Sequence, residues 1–385
     1  MKKTLQIKAH EKAHKTTVYF GNDLVTAPFF FELCQKLGSK IVIISDARVG
    51  DLYGKSLYHQ LKAKDFDCSF LVFPSGEHQK NRANKETLEN QLLAAHCARD
   101  TALIALGGGV VTDLVGFVAA TYLRGIPYLS LPTSLIGMVD ASIGGKTGIN
   151  TEWGKNTLGA LYPPRAVVID YHFLATLSEQ ERRQGIAEIV KYGLTAQASL
   201  FHLIDQNINR WLQWDLSFIE ELIDKSCSIK KKVIEADVAE WGKRRMLNFG
   251  HTIAHAIEQV EAYQIGHGEA VAIGIITESL ISYRAGRLTE KELTQIDHLI
   301  RDLGFSLTLS PRVTTAALLA ALQSDKKRAT GQVRFVLLDA IGKVAYHRGN
   351  YCTPIDDDLL HETLSWMIAT FSKKQFEEKA HALSH

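Results

Sequence analysis

Three histidines fall within a short stretch of the second half of the chain: His251 and His255, four residues apart, and then His267. On a helix the first two share one face. A catalytic zinc site takes three nitrogen or oxygen ligands and keeps one position open, so these histidines and the acids near them could hold a divalent metal. The H-x-x-x-H spacing is that of zinc peptidases, but Thr252 occupies the place of their general-base glutamate, which rules that chemistry out. His251 and His267 each adjoin a glycine, unlike a histidine that merely fills a helix face. Local spacing does not supply the remaining ligand. Glu188 and Lys191 put a carboxylate and an amine on one helical face. As a surface pair they would be worth only ~0.2–0.5 kcal/mol. Their neighbours Ile186, Ala187, Ile189 and Val190 are apolar, which is the setting of a buried, functional pair.

A second kind of chemistry lies earlier. GGGVVTD (107–113) closes an apolar run and opens a helix-like segment. Glycines at such a junction let the backbone approach a pyrophosphate, and a helix N-terminus favours negative charge. The spacing is not G-x-G-x-x-G, so the ordinary dinucleotide fingerprint is absent. SIGGKTG (142–148), which follows Pro132-Thr133-Ser134, is a second glycine-rich loop and carries a lysine. It resembles a phosphate-binding loop but lacks the G-x-x-x-x-G-K-[ST] spacing and is not an ATPase loop.

These groups need a scaffold. β-rich apolar runs at 40–46, 68–73, 101–106, 128–131 and 166–170 alternate with helix-like segments. That pattern implies a mostly parallel sheet with helices on both faces and ligands at the carboxyl ends of strands. Beyond about residue 176 helical periodicity dominates, at 179–194, 216–235, 252–261, 269–285 and 290–303. The stretch 333–339 reads as strand or loop, and the charged tail from 373 as frayed or helical surface. The expected architecture is an α/β, Rossmann-like nucleotide-binding domain over 1–177 followed by an all-α metal- and substrate-binding domain over 178–385.

A formal net charge of +2 creates no global field that would draw the chain to nucleic acid or a membrane surface. No stretch reaches the ~18 apolar residues of a membrane span. The five cysteines form no C-x-x-C pair and are odd in number. That favours a reducing, cytoplasmic setting and argues against a thiolate zinc site.

The motifs GGGVVTD, ATYLRG, LPTSLIGMVDASIGGKTGIN, GKNTLGA, GIAEIVKYGL, LNFGHTIAHAIE and HGEAVAIG occur in this order. Together they resemble those of the 3-dehydroquinate synthase family, within the sugar phosphate cyclases, from about Asp46 to Lys327. The resemblance implies a lyase dependent on NAD and on zinc, with cobalt an alternative ion, usually a homodimer. Its substrate would be 3-deoxy-D-arabino-heptulosonate 7-phosphate, and its products 3-dehydroquinate and phosphate, in the shikimate pathway of aromatic amino acid biosynthesis. The implied sequence is transient oxidation by NAD, phosphate elimination with the substrate's own phosphate as base, reduction, ring opening and intramolecular aldol closure.

Carried over residue by residue, the resemblance makes Glu188, His251 and His267 the metal ligands and leaves His255 for proton transfer near the substrate phosphate. Asp140, Lys146, Lys191, Lys230, Arg244 and Asn248 would hold the substrate carboxylate and hydroxyls. Lys146, Asn156, His255 and Lys326 (or its neighbour Lys327) would lie near the phosphate, with Arg124 reaching in from the neighbouring subunit. NAD would contact Asp46, Glu77, Lys80, Gly108, Gly109, Asp113, Thr133, Ser134, Lys155, Phe173, Thr176, Leu177 and Glu181. A dianionic phosphate and a carboxylate on one small substrate need such a local cluster of cations in a chain of almost no net charge.

Three positions depart from the family pattern: Thr112 where glycine is expected, Ser134 for threonine and Val238 for an acid. Related cyclases that act on sedoheptulose 7-phosphate often share VTDLVGF and LYPP with this chain. Gly145, Lys230, Asn248 and His255 stand against that reading. A metal-dependent alcohol dehydrogenase would lack the dense lysine and arginine set, and a non-catalytic descendant would have lost a ligand or a phosphate-binding lysine.

Overall fold

The structure, a computed structural model, describes residues 15–326, 333–347 and 349–372. The tail from 373, Lys327 and the side chain of Lys326 lie outside the described residues.

The first half carries strands β1 (Thr17–Gly21), β2 (Lys40–Asp46), β3 (Cys68–Phe73), β4 (Thr101–Gly107), β5 (Tyr128–Pro132), β6 (Lys146–Thr151), β7 (Gly154–Leu161) and β8 (Ala166–Asp170). Its helices are α1 (Pro28–Leu37), α2 (Ala47–Val49), α3 (Lys55–Lys62), α4 (Arg82–Ala94) and α5 (Gly109–Thr121). All strands but β6 and β7 join one parallel sheet in the order β1-β8-β5-β4-β2-β3. Every residue of β4 and of β8 is buried. Strands covered on both faces read as continuous apolar runs, which is why they were legible as strands without alternation. Leu88 and Leu92 of α4 and Val111, Leu114 and Val115 of α5 cover one face. The other face, under Phe30 of α1 and Leu57 and Leu61 of α3, merges into a core that continues through the second half.

After β2 the chain runs outward to β3, then returns past β2 to lay down β4 and β5. This reversal is a topological switch point, and a crevice opens beyond the carboxyl ends of the two strands that flank it. Those ends are Asp46 and Gly107. A Cβ on Gly107 would lie 2.3 Å from Cγ2 of Val111, so only glycine lets the helix start this close to the strand.

The second half carries α6 (Glu179–Ala196), α7 (Ala198–Gln206), α8 (Ile208–Leu212), α9 (Leu216–Ala236), α10 (His251–Val260), α11 (His267–Arg284), α12 (Glu290–Asp302), α13 (Thr315–Lys326) and α14 (Asp357–Phe371). A capping box between Ser178 and Glu181 fixes where α6 begins, by satisfying donors that the first turn would leave unpaired. Asp215 caps α9 through the N–H groups of Ser217 and Phe218. Residues 268–282 of α11 are buried throughout, so the helix is covered on every side even though it carries Glu269, Thr277, Glu278 and Ser279. It meets α10 backbone to backbone: a Cβ on Gly274 would lie 2.0 Å from the carbonyl oxygen of Gly250.

Several features differ from the expectations. β1, the β6–β7 pair, α13 and α14 were not anticipated. The stretch 333–339 holds parts of two short strands, Arg334–Phe335 and Leu338–Ala340. The loop at 142–148 is not built as a phosphate-binding loop, because no helix follows it. Gly144 (φ 101°) and Gly145 (φ 70°) turn the chain through the left-handed region into β6, which pairs antiparallel with β7 as a hairpin.

Candidate active site

A cleft of 1050 Å³ lies between the carboxyl ends of the sheet strands and the second half, lined on that side from α6, α9, α10 and α11. Its deepest feature is a cluster of one carboxylate and two imidazoles. Oε1 of Glu188, from the middle of α6, stands 3.3 Å from Nε2 of His251 and 3.2 Å from Nε2 of His267, the first residues of α10 and α11. The Nδ1 of His251 faces the carbonyl oxygen of Phe249 at 3.1 Å, and the Nδ1 of His267 faces Oε1 of Glu258 at 3.1 Å.

These contacts test whether a metal fits. Both Nδ1 atoms face acceptors and so carry protons, which leaves the Nε2 lone pairs aimed at a carboxylate oxygen. Three acceptors converging on one point repel unless a cation sits among them or the imidazoles are protonated. A tetrahedral ion with bonds of 2.0–2.1 Å separates its ligand atoms by about 3.3–3.4 Å, close to the separations found. The donor set, one carboxylate and two imidazoles, suits zinc or cobalt. Spacing on its own had left His255 as a rival. His255 does not share this convergence: its ring lies edge-on to His251, 5.5 Å between centroids, and opens to the cleft.

The buried charges around the cluster are paired. Lys191, 2% exposed, sits against Oε2 of Glu188, which is fully buried. Burial would raise the Glu188 carboxyl, but Lys191 and His251 outweigh it and hold it well below the usual range. Lys230 of α9 pairs with Asp140, and its ammonium also reaches the Asp140 carbonyl at 2.5 Å. Burial opposes ionisation of Asp140, yet Lys230 and Lys191 keep it strongly acidic. The cost of burial falls on the Lys230 ammonium, which is lowered despite its partner. Tyr192, fully buried, donates to Asp140 at 2.5 Å and locks that carboxylate from behind.

Arg244 differs from these cations. Its guanidinium donates to the carbonyl oxygens of Gly144 at 3.2 Å and Val238 at 2.8 Å, and no described carboxylate lies within 4.0 Å of it. It is therefore the cleft's uncommitted planar cation, suited to a bidentate carboxylate. Lys146 is engaged by Glu240, which also accepts from Asn248 at 2.8 Å. The walls of the cleft push His255 below the usual histidine range, with His251 adding to the effect, although the ring's opening to cleft water tempers it.

On the sheet side, Asp46 accepts from the N–H of Val49 at 3.0 Å and from Ser75 at 2.9 Å. Gly108 caps α5. Lys80, 4% exposed, pairs with Asp113 at 3.0 Å and Glu77 at 3.2 Å; burial works against its charge, but the two acids hold it ionised. Gly108, Gly109, Thr133, Ser134, Lys155, Asn156, Thr176, Leu177 and Glu181 also line the cleft. Glu181 also closes the capping box of α6 and meets Arg48 at 3.3 Å. Thr112 is buried, bonds back to Gly109 at 3.1 Å and does not line the cleft.

Phe173, implied by the resemblance as an NAD contact, does not line the cleft, and Arg124, implied as reaching a neighbouring subunit, does not line its own. Phe173 is buried edge-on against Tyr53, 4.7 Å between centroids, because β8 delivers it into the core beside α6. Arg124 belongs to the turn after α5, where Leu123 and Arg124 both have positive φ, and does not line the cleft of its own chain. Conversely, Glu240, Glu258 and Tyr192 were missed. Glu258 ends the quoted motif LNFGHTIAHAIE, and Tyr192 follows Lys191 directly, so both were within reach of the sequence; Glu240 lies in a polar loop with no pattern to mark it.

The family model described as 3-dehydroquinate synthase N-terminal matches residues 70–184, and that described as 3-dehydroquinate synthase C-terminal matches residues 185–328. A 3-dehydroquinate synthase of Nitrosomonas europaea is 41% identical over 333 residues, covering 86% of this chain and 89% of the relative. That of Rippkaea orientalis is 41% identical over 312 residues, covering 80% and 85%. Among solved structures, a 2-epi-5-epi-valiolone synthase from Streptomyces hygroscopicus subsp. jinggangensis 5008, with NAD+ and Zn2+ bound, superposes with a TM-score of 0.85 at 29% identity over 95% of this chain and 100% of that one. A 2-deoxy-scyllo-inosose synthase complexed with carbaglucose-6-phosphate, NAD+ and Co2+ gives a TM-score of 0.78 at 26% identity, covering 90% and 95%.

Proposed function

The chain belongs to the 3-dehydroquinate synthase family, and on that premise we propose that its cleft converts 3-deoxy-D-arabino-heptulosonate 7-phosphate to 3-dehydroquinate and inorganic phosphate. The observation that carries this reading is one cleft that brings the convergent side chains of Glu188, His251 and His267 together with a glycine turn at a sheet switch point and with Arg244, which no described carboxylate pairs. The curated relatives at 41% identity bear the same name, and the solved cyclases hold NAD with zinc or cobalt.

Glu188, His251 and His267 would hold zinc, and NAD would lie across the carboxyl ends of β2 and β4 against Asp46, Gly108 and Gly109. When bound, the metal acidifies a substrate hydroxyl and polarises the ketone made from it, while the nicotinamide accepts and returns a hydride. Arg244 takes the substrate carboxylate, and Asn248 and Lys191 the hydroxyls nearest the cluster. Asp140 and Tyr192 keep Lys230 aimed into the cleft. Lys146, Asn156 and the neutral imidazole of His255 surround the phosphate, where His255 passes a proton rather than adding a charge. By the family resemblance Lys326 or Lys327 would join this end, and Arg124 would reach the phosphate of a neighbouring subunit in a cytoplasmic homodimer. Residues 1–177 serve as the nucleotide-binding domain and 178–385 as the metal- and substrate-binding domain.

The test is release of phosphate in the presence of NAD and zinc, measured in parallel with the heptulosonate phosphate and with sedoheptulose 7-phosphate. Release from the first alone is expected. Release from sedoheptulose 7-phosphate alone would overturn the assignment.

A further inference from the structure

The metal cluster and the nucleotide side of the cleft are joined by a continuous row of polar and charged side chains, in which carboxylates alternate with a histidine or lysines. It runs from Glu188 to His267 at 3.2 Å, His267 to Glu258 at 3.1 Å, and Glu258 to Lys155 at 2.8 Å. It continues from Lys155 to Glu77 at 4.0 Å, Glu77 to Lys80 at 3.2 Å, and Lys80 to Asp113 at 3.0 Å. Asp113 lies in the first turns of α5, directly after the glycine turn. The row therefore spans both sides of the cleft.

Glu258 is the narrow point. It is 2% exposed, and a single atom, Oε1, faces both the Nδ1 of His267 and the ammonium of Lys155. Its other oxygen is buried and has no hydrogen-bond partner among the described residues. The carboxylate's position is thus set by the two groups it serves, one on the metal side and one on the nucleotide side. Lys155 stands on β7 of the hairpin, whose partner strand β6 is tied to the nucleotide side through Asn150, which donates to Glu77 at 2.8 Å and whose N–H bonds the carbonyl oxygen of Lys80 at 2.7 Å.

We propose that Glu258 is a positioning residue that couples the two cofactor sites, so that metal held by His267 and NAD held beside Lys155 each tighten the other. This rests on the metal and NAD sites proposed above. A metal on Nε2 fixes the His267 ring, the ring fixes Oε1 of Glu258, and Oε1 fixes Lys155 and the hairpin wall of the nucleotide cleft. A nucleotide that must otherwise order this wall binds more tightly once it is ordered. By linkage the same factor applies in reverse, so NAD slows loss of the metal.

The experiment is NAD+ titration of metal-free and of zinc-loaded protein, with zinc uptake measured separately. Wild type should bind NAD+ at least about fivefold more tightly when loaded with zinc, the low end of ordinary coupling. Glu258→Gln keeps the shape and removes the charge, and Lys155→Gln breaks only the nucleotide half of the contact. In both, the ratio should fall to near one, while Lys155→Gln keeps the zinc affinity of wild type. A purely structural role for Glu258 would weaken each ligand without changing the ratio. A wild-type ratio near one with both ligands bound, or an unaltered ratio in Glu258→Gln, overturns the proposal. Wild-type protein that takes up no zinc overturns the metal centre itself, and the coupling with it.

Discussion

Glu278, fully buried on α11, accepts the backbone N–H of Gly250 at 2.7 Å, directly before the metal-ligand candidate His251. Its other oxygen accepts the N–H of Ile253 at 3.1 Å. One carboxyl group thus closes the first turn of α10 from the neighbouring helix by accepting two of its unpaired N–H groups. Burial pushes the Glu278 carboxyl up to about 8, against the pull of these amides. Glu278→Gln sets an NH2 against one of the two N–H groups. It should cost roughly 1–3 kcal/mol in equilibrium unfolding and weaken zinc binding in a chelator competition. An unchanged unfolding midpoint together with unchanged zinc affinity would refute this account of the α10 start.

The two kinds of histidine should separate experimentally. His267→Ala is expected to lose both bound zinc and turnover. His255→Ala should slow turnover and retain zinc, because its ring stands outside the convergence on Glu188. Elemental analysis of the two purified variants decides the point, and loss of zinc from His255→Ala would reverse the assignment.

Gly274→Ala tests the backbone contact between α10 and α11. The added methyl would meet the Gly250 carbonyl oxygen at 2.0 Å, so the helices must part. Overpacking of this kind costs about 1–3 kcal/mol, and here it also separates His251 from His267. Lower thermal stability and weaker zinc binding are expected together, and a variant as stable as wild type would show that the contact yields easily.

Arg244→Gln should raise KM for the heptulosonate phosphate at least about tenfold, the scale of one lost charge-assisted contact. In the free protein it bonds two backbone carbonyl oxygens and no described carboxylate, so the change costs those two bonds but strands no buried anion. An equal loss of binding for an analogue lacking the carboxylate would assign Arg244 to some other part of the substrate.

Burial raises the thiols of Cys34 and Cys227 to about 12. Since an unfolded cysteine titrates lower, near 9.0, each contributes stability that is full below that value and is lost as pH rises through about 12. Alkaline solutions should therefore destabilise the fold progressively above pH ~9. Alkylation near pH 8 should spare these thiols in the native protein and reach them after denaturation; rapid native labelling of Cys34 or Cys227 would contradict their burial.

The sheet and the long helices were legible because their patterns are strong. β2, β4 and β8 are continuous apolar runs, and α6 and α9 carry clear periodicity between capping residues. The β6–β7 hairpin was not, because Gly148 and Gly159 interrupt the alternation where the two backbones touch: a Cβ on Gly159 would lie 2.0 Å from the carbonyl oxygen of Thr147. α13 begins as an alanine- and leucine-rich run with little contrast between faces. In the site, the family resemblance named many of the side chains that line the cleft, but Arg48, Tyr53, Ser75 and Gln184 line it too and no motif marked them. What the resemblance could not convey is pairing: that Glu240 holds Lys146, or that Glu258 serves His267 and Lys155 with one oxygen, depends on distances across more than ninety residues in the first and third of these pairs.

The segment that carries Asp140 bears on how the chain is made. Leu135, Met138, Val139 and Ile143 follow β5 and so emerge from the ribosome with the first half, yet their partners come later. Gly185 of α6 packs against Leu135, the Tyr192 hydroxyl lies 3.1 Å from the carbonyl oxygen of Val139, and Cys227 lies 3.5 Å from that of Met138. Until roughly fifty to ninety further residues have been synthesised, this apolar stretch lacks these partners, and at ~5–20 residues per second that exposure lasts several seconds. A fragment ending near residue 177 should therefore be prone to aggregate, and nascent chains paused there should be recognised by chaperones that bind extended apolar segments.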